Sequence, residues 1–182
     1  MFPVLLSLGS NLGNRHATLN GAWHVLGRTD NIETIRLSPL YETEPVGGPA
    51  GQPKFINAAG IIHTTLPPRD LLVALQKIEV GFGRVRAERW GARTLDVDIL
   101  LYENRIVELS ALTIPHVEML HRPFVLQPAN DIAADWVHPL TGKTIEEHWH
   151  DFLGGHKMVI IGLPTTHESS VIRKHGKDAF SH

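Results

Sequence analysis

In the strand predicted at residues 94–102, polar and apolar side chains alternate from Thr94 to Ile99, and this pattern constrains the fold more than any other feature. Such alternation is typical of a β-strand that has one buried face. The apolar positions are Leu95, Val97, Ile99 and Leu101. Asp96 and Asp98 fall on the opposite face, with their Cα atoms about 7 Å apart at the usual rise per residue. The pattern therefore predicts a sheet with one face in the core and two neighbouring carboxylates on the other.

Similar patterns predict the remaining elements. Runs of apolar and β-branched residues predict strands at 4–8, 32–43 and 55–65. Helical spacing of apolar residues predicts one helix capped by Asn14, a second after Pro67 and Pro68, and further helical structure near 124–134. The order strand, helix, strand, strand, helix, strand predicts an α+β fold. We expect a ferredoxin-like α/β sandwich, in which helices pack on one face of a mainly antiparallel sheet.

The length of 182 residues corresponds to about one domain. We assign residues 1–156 to this domain and residues 157–182 to a C-terminal extension of unknown role, in which only residues 158–161 have the composition of a strand. Residues 44–54 contain six prolines and glycines, so no regular element fits there. Long ordered loops in small domains are often functional.

Composition excludes several classes of protein. The chain has no cysteine, which excludes disulfides and thiolate metal sites. The formal net charge of −2 excludes a globally basic nucleic-acid binder. No apolar run reaches the roughly 20 residues of a membrane span, and the first residues do not resemble a signal peptide. We therefore expect a cytoplasmic protein that binds neither nucleic acid nor membrane. His148, His150 and His156 are interpreted as surface residues rather than as a metal site.

Four arginines precede the two aspartates within ten residues. They are Arg84, Arg86, Arg89 and Arg93. Alone, such arginines are more often a solvated basic loop, and Asp96 and Asp98 alone are more often the exposed face of a strand. Together they indicate a site for phosphate and Mg²⁺, because guanidinium forks bind phosphate oxygens and Mg²⁺ prefers carboxylate and phosphate ligands. This combination is what phosphoryl transfer requires. The sequence contains no Walker A motif, so the arginines and the metal would hold a nucleotide.

At this point the sequence resembles the 6-hydroxymethyl-7,8-dihydropterin pyrophosphokinase family of folate biosynthesis. The motifs that carry the resemblance are Leu8-Gly9-Ser10-Asn11-Leu12-Gly13, Tyr41-Glu42-Thr43-Glu44-Pro45, Asn57-Ala58-Ala59, Arg89-Trp90-Gly91-Ala92-Arg93-Thr94-Leu95-Asp96-Val97-Asp98-Ile99-Leu100, Pro115-His116 and Arg122-Pro123-Phe124-Val125-Leu126. The resemblance covers residues from about 4 to about 149, so residues 1–156 are expected to be a pyrophosphokinase domain.

The resemblance implies transfer of a pyrophosphoryl group from ATP to the hydroxymethyl oxygen of the pterin, with release of AMP. It implies two Mg²⁺ ions held by Asp96 and Asp98. The implied catalytic residues are Arg84, Arg93, Asp96 and Asp98. The implied nucleotide-binding residues are Gln76, Glu79, Arg84, Arg86, Trp90, Arg93, Ile99, His116 and Arg122. Arg86 and Trp90 match a loop that closes over the site. The implied partners are ATP and the pterin, and we expect a monomer or weak dimer.

A pterin is flat and has a hydrogen-bonding edge, so its site needs aromatic faces and amide-type partners. The residues that match the family's pterin side are Thr43, Val46, Phe55, Asn57, Trp90, Asp96 and Phe124. From composition alone, Phe55 and Phe124 are better explained as core residues, and only the resemblance assigns them to the pterin.

The sequence departs from the family pattern at four positions. Ala92 stands where proline is usual, and Phe55 stands where tyrosine is frequent. Ala111 and Val117 occupy positions where some members carry a nucleotide-side arginine and tyrosine. These two differences bear on the affinity for ATP and not on the type of reaction.

Three other functions are compatible with parts of the sequence. One is a metal-dependent nucleotide-sugar transferase that uses the Asp-x-Asp motif. Another is a non-catalytic RNA-binding module, because ferredoxin-like sheets can stack bases on aromatic side chains. The third is a degenerate family member that binds the pterin without turnover, which the intact Asp96, Asp98, Arg84 and Arg93 argue against.

Overall fold

The computed structural model describes residues 1–47, 49, 51–84 and 92–155. Its elements are β1 (Phe2–Ser10), α1 (Arg15–Leu26), β2 (Ile32–Leu37), β3 (Tyr41–Thr43), β4 (Phe55–Thr64), α2 (Pro68–Gly81), β5 (Asp96–Tyr102), β6 (Val107–Leu109), β7 (Leu112–Ile114), a 3₁₀ turn (Met119–His121), α3 (Pro123–Ala133) and α4 (Ile145–Gly155). The strand proposed at residues 158–161 and the extension 157–182 lie outside the described residues. Among the described residues, no helix combines the length and apolar character needed to cross a membrane.

The main sheet is antiparallel and has the strand order β2-β4-β1-β5, with β3 also paired to β4. The single strand predicted at 32–43 is divided into β2 and β3, which follow one another along the same edge of β4. Pro39 lies at the break and has no N–H to donate to the sheet. Ser38 keeps the chain beside β4, because its N–H donates to the Ala59 carbonyl oxygen and its hydroxyl accepts from the Ala59 N–H, each over 2.9 Å.

Helices cover both faces of the sheet. The fold class is confirmed, but the expectation that the helices lie on one face is wrong. α1 and α2 pack on the face that carries Leu6 and Leu8, whereas α3 and α4 pack on the face that carries Leu5 and Ile61. The reason is visible in β1, where consecutive residues are apolar and buried, so both faces of this central strand need cover.

A β-bulge in β5 changes which face its last residues occupy. Leu6 pairs with Ile99 and Leu5 pairs with Leu101, which leaves Leu100 as an extra residue. Leu95, Val97 and Ile99 join the α1–α2 core as predicted. Leu101 was predicted on that face and instead lies in the α3–α4 core, because one inserted residue reverses the alternation.

The predicted helix starts are confirmed. The Asn14 side chain accepts a hydrogen bond from the Ala17 N–H over 3.1 Å and caps α1. Pro68 begins α2, where its fixed φ angle suits the first turn.

Gly60 is required by the close approach of α1 to β4. A Cβ atom at Gly60 would lie 2.5 Å from Cζ3 of Trp23, closer than packed carbon atoms allow. We expect Gly60→Ala to lower the free energy of unfolding by about 1–3 kcal/mol, the usual cost of overpacking. Chemical denaturation checks this. Gly154→Ala, whose Cβ would meet nothing within 4 Å, is the control. A Gly60→Ala protein as stable as the wild type would contradict the packing described here.

Candidate active site

A cavity of about 620 Å³ opens over the sheet face that carries the two aspartates. It is lined by Ser7, Gly9, Thr43, Glu44, Val46, Gly47, Gln52, Phe55, Asn57, Arg93, Asp96, Asp98, His116, Glu118, His121, Arg122, Phe124 and Val125. The sheet therefore brings together residues that the sequence analysis placed on the phosphate, nucleotide and pterin sides. Gln76, Glu79, Arg84 and Ile99 do not line this cavity.

Strand register explains why the carboxylates face open space. Gly9 pairs with Asp96 and Ser7 pairs with Asp98, so a residue without a side chain and one with a small side chain lie beside the two aspartates. The oxygens of Asp96 form ion pairs with two guanidinium groups. Nη1 of Arg84 lies 2.7 Å from Oδ1, and Nη1 of Arg93 contacts Oδ2. Two arginines thus meet at one carboxylate at the floor of the cavity.

Glu79 lies behind Arg84 and is almost completely buried, with 2% of its surface exposed. Its Oε1 accepts the Val97 N–H over 2.8 Å and also contacts Nη1 of Arg84. Burial raises the pKa of Glu79, while the Val97 N–H and the Arg84 charge act in the opposite direction. Glu79 therefore connects α2 to β5 and holds the Arg84 guanidinium beside Asp96.

Asp98 is the more accessible carboxylate. Its side chain keeps 41% of its exposure, and Nε2 of His116 lies 3.9 Å from its Oδ2. Desolvation by the surrounding protein is the main effect that raises the pKa of Asp98, and the charge of Asp96 raises it further. His116, Arg84 and Arg93 lower it. An oxygen ligand with this exposure is available to a cation.

A second, smaller cavity of about 290 Å³ shares Asp98 and His116 with the first. Ile99 lines it, as do Ala111 and Val117, two of the four positions that depart from the family pattern. Neither Ala111 nor Val117 carries a polar or charged side-chain group at this place. Gln76 is half-buried on α2 and lines neither cavity.

The other end of the large cavity has amide and aromatic character. Nδ2 of Asn57 donates to Oγ1 of Thr43 over 2.7 Å. Phe55 and Phe124 are partly buried and line the cavity, although Phe124 also packs against the α3–α4 core. Val46 is 68% exposed in the loop after β3. A flat ring with a hydrogen-bonding edge fits this combination of side chains.

Asn11 is a site residue that the sequence analysis did not single out. It is buried, its Oδ1 accepts the Arg93 N–H over 2.7 Å, and its own N–H donates to the Arg93 carbonyl oxygen over 3.1 Å. Its Nδ2 donates to Oε1 of Gln52 over 3.2 Å. Asn11 thus joins the loop 44–54 to Arg93. The only sequence signal for this role is that Asn11 lies in the turn after β1. Asparagine is common in turns because it suits their backbone conformation, so its position alone does not indicate a functional role.

The donor set fits a hard cation. Within the described ranges, no group of three or more His, Asp or Glu side chains could hold a metal ion. Asp96 and Asp98 nevertheless offer carboxylate oxygens on one face, and Mg²⁺ is commonly bound by one or two carboxylates together with substrate phosphates and water. Arg86 and Trp90, both expected at the site, lie outside the described residues.

Comparison with known proteins matches most of this chain to one family. Residues 5–134 match the family model described as 7,8-dihydro-6-hydroxymethylpterin-pyrophosphokinase (HPPK). The 2-amino-4-hydroxy-6-hydroxymethyldihydropteridine pyrophosphokinase of Haemophilus influenzae is 42% identical over 159 residues, which are 87% of this chain and 98% of that protein. The protein of the same name from Synechocystis is 45% identical over 142 residues, covering 78% of this chain and 72% of its own.

A solved structure shows the same fold. Wild-type Plasmodium falciparum HPPK-DHPS with pterin and p-hydroxybenzoate matches with a TM-score of 0.67 and 16% identity. The match covers 85% of this chain and 43% of that longer chain. Together with the family match over residues 5–134, the sequence identities establish that this chain belongs to the 7,8-dihydro-6-hydroxymethylpterin-pyrophosphokinase family.

Proposed function

We propose that this protein transfers the pyrophosphoryl group of ATP to 6-hydroxymethyl-7,8-dihydropterin, a step of folate biosynthesis. The hydroxymethyl oxygen attacks the β-phosphorus, the bond from that phosphorus to the oxygen bridging the α-phosphate breaks, and AMP leaves as the hydroxyl proton is released. The observation that carries the proposal is the placement of Arg93, Asp96 and Asp98 in the same cavity as Asn57 and the two phenylalanines.

The nucleotide binds at the arginine end of the cavity in this proposal. Arg84 and Arg93 neutralise Asp96 in the structure, and a triphosphate offers their guanidinium groups a second set of oxygens. These groups then stabilise the negative charge that develops as the phosphorus is transferred. The other residues assigned to the nucleotide are Gln76, Arg86, Trp90, Ile99, His116 and Arg122. Glu79 acts on this side through Arg84, because it is buried beneath it.

Asp96 and Asp98 hold the metal in this proposal, and we expect two Mg²⁺ ions. When bound, Mg²⁺ neutralises phosphate charge and orients the phosphate oxygens. The protein residues supply the carboxylate oxygens on one face of β5 and the positive charges around them.

The pterin binds at the amide end of the cavity. Asn57 both donates and accepts at the ring edge, and Phe55 and Phe124 offer aromatic faces to the ring. Thr43 and Val46 line the same end, and Trp90 and Asp96 complete the assigned set.

We also propose that residues 1–156 carry the activity, as a cytoplasmic monomer or weak dimer that needs no nucleic acid or membrane. All described residues of the site lie within that range.

Nucleotide product analysis tests the proposed reaction. Purified protein is mixed with ATP, Mg²⁺ and 6-hydroxymethyl-7,8-dihydropterin, and a parallel sample lacks the pterin. We expect AMP to form only when the pterin is present, with no ADP. ADP as the product would mean transfer of the γ-phosphate and would contradict the proposed chemistry. Pterin binding without turnover would indicate a degenerate family member. A protein that neither binds nor converts the pterin would favour the nucleotide-sugar transferase or the RNA-binding module instead.

A further inference from the structure

Tyr41 connects the short strand β3 to helix α3. Its side chain is 4% exposed, and its hydroxyl donates to Oδ2 of Asp131 over 2.6 Å. Asp131 lies seven residues beyond Phe124 on α3, which is about two turns, so both side chains lie on the same side of the helix. The hydrogen bond therefore joins the strand that carries Thr43 to the helix that carries Phe124.

β3 needs an anchor of this kind. It is three residues long, and the part of the chain that the structure describes pairs it with β4 alone. Tyr41 pairs with Asn57 and Thr43 pairs with Phe55, so β3 lies beside the pterin end of the cavity. Thr43 and Tyr41 are two residues apart and share one face of the strand. Thr43 accepts from Asn57, so a shift of β3 would change the orientation of the Asn57 amide.

The chemistry of the pair favours a persistent bond. Burial is the main effect that raises the pKa of Tyr41, and the hydrogen bond to Asp131 raises it further. The phenol therefore remains a neutral donor at physiological pH. Burial raises the pKa of Asp131, and the hydrogen bond from Tyr41 opposes that change. Hydrogen bonds from a hydroxyl to a carboxylate are short and stronger than bonds between neutral groups.

We propose that the Tyr41–Asp131 hydrogen bond positions the pterin side of the cavity, by holding β3 and Thr43 against α3 and Phe124. Tyr41 and Asp131 are positioning residues, since they act through Thr43, Asn57 and Phe124. This inference rests on the proposed function, because it concerns the pterin half of the same site. The nucleotide half is supported separately, through Glu79 and Arg84.

The chain offers a matched control, because it has two tyrosines. The Tyr102 hydroxyl also donates over 2.6 Å, to the Leu66 carbonyl oxygen, and the Tyr102 ring belongs to the α1–α2 core. Tyr41→Phe and Tyr102→Phe each remove one buried hydroxyl. We expect Tyr41→Phe to raise KM for the pterin about five- to tenfold, the effect of one lost hydrogen bond, with kcat and KM for ATP within about twofold of wild type. Tyr102→Phe leaves both KM values unchanged.

A double-variant cycle separates positioning from general loss of stability. Asp131→Asn is expected to raise KM for the pterin, as Tyr41→Phe does. The variant that carries both changes is expected to show no further increase in this KM beyond that of the single variants. If Tyr41→Phe does not fold, Asp131→Asn, which changes the exposed member of the pair, carries the same test. An unchanged KM for the pterin in Tyr41→Phe, or an equal rise in Tyr102→Phe, overturns the inference.

The outcome for the wild-type protein distinguishes the two proposals. A wild type that converts the pterin to its diphosphate while Tyr41→Phe behaves identically overturns only the positioning role. A wild type that neither turns over the pterin nor binds it in a calorimetric titration overturns the proposed function and this inference with it.

Discussion

Asp98→Ala is expected to remove nearly all turnover while the protein remains folded. Losing a carboxylate at a metal and phosphate site removes several kcal/mol of transition-state stabilisation, so kcat should fall by at least about 10³-fold. The fold should tolerate the change, because the Asp98 side chain is partly exposed and both its surroundings and Asp96 disfavour its charge. Steady-state AMP formation and thermal unfolding measure the two effects.

Asp135→Ala is the matched control for this variant, because Asp135 is exposed beyond α3 and away from the cavity. We expect its turnover to equal that of the wild type. A folded Asp98→Ala protein with wild-type turnover would contradict the assignment of Asp98 to the metal. A large loss of stability in Asp98→Ala would also contradict the account, since the carboxylate would then be structural.

Glu79 is expected to show the second large effect, on stability and on catalysis separately. Glu79→Ala removes the acceptor of the buried Val97 N–H and the buried partner of Arg84. Breaking a buried ion pair from one side costs about 3–5 kcal/mol, so this variant should unfold at much lower denaturant concentration. Glu79→Gln keeps an oxygen for the Val97 N–H and loses the charge that holds Arg84.

We therefore expect Glu79→Gln to fold and to lose about 10- to 100-fold in kcat, with KM for the pterin little changed, because a misplaced arginine weakens transition-state stabilisation. Glu33→Gln, an exposed position on β2, is the control. Wild-type turnover in Glu79→Gln would argue against a role in positioning Arg84. Wild-type stability in Glu79→Ala would argue against the buried contacts described above.

Some parts of the site follow from local sequence. The alternation in β5 predicts that Asp96 and Asp98 share a face, and the register with Ser7 and Gly9 confirms that this face is open. The division of the strand predicted at 32–43 also has a local signal that the prediction of one strand did not use. Pro39 has no backbone N–H to donate to a sheet, which favours a break there.

Other parts depend on tertiary structure and leave no local signal. Ile99, Leu100 and Leu101 are all apolar, so the sequence cannot show which of them is the bulge residue. Apolar periodicity predicts that α3 has a buried face but does not say which side of the sheet it covers. Glu79 and Val97 meet only because α2 and β5 pack together, eighteen residues apart in the chain. Such partners are set by the three-dimensional arrangement and not by spacing.

The central claim is that the β-phosphorus of ATP is attacked beside Arg84, Arg93, Asp96 and Asp98. The most direct measurement follows the phosphorus atoms in two single-turnover reactions with the pterin and Mg²⁺, one with ATP labelled at the α-phosphate and one with the label at the β-phosphate. The account predicts that the β label moves to the pterin and that the α label remains in AMP. A β label that stays with the nucleotide as ADP, or that is released as free pyrophosphate, would contradict it.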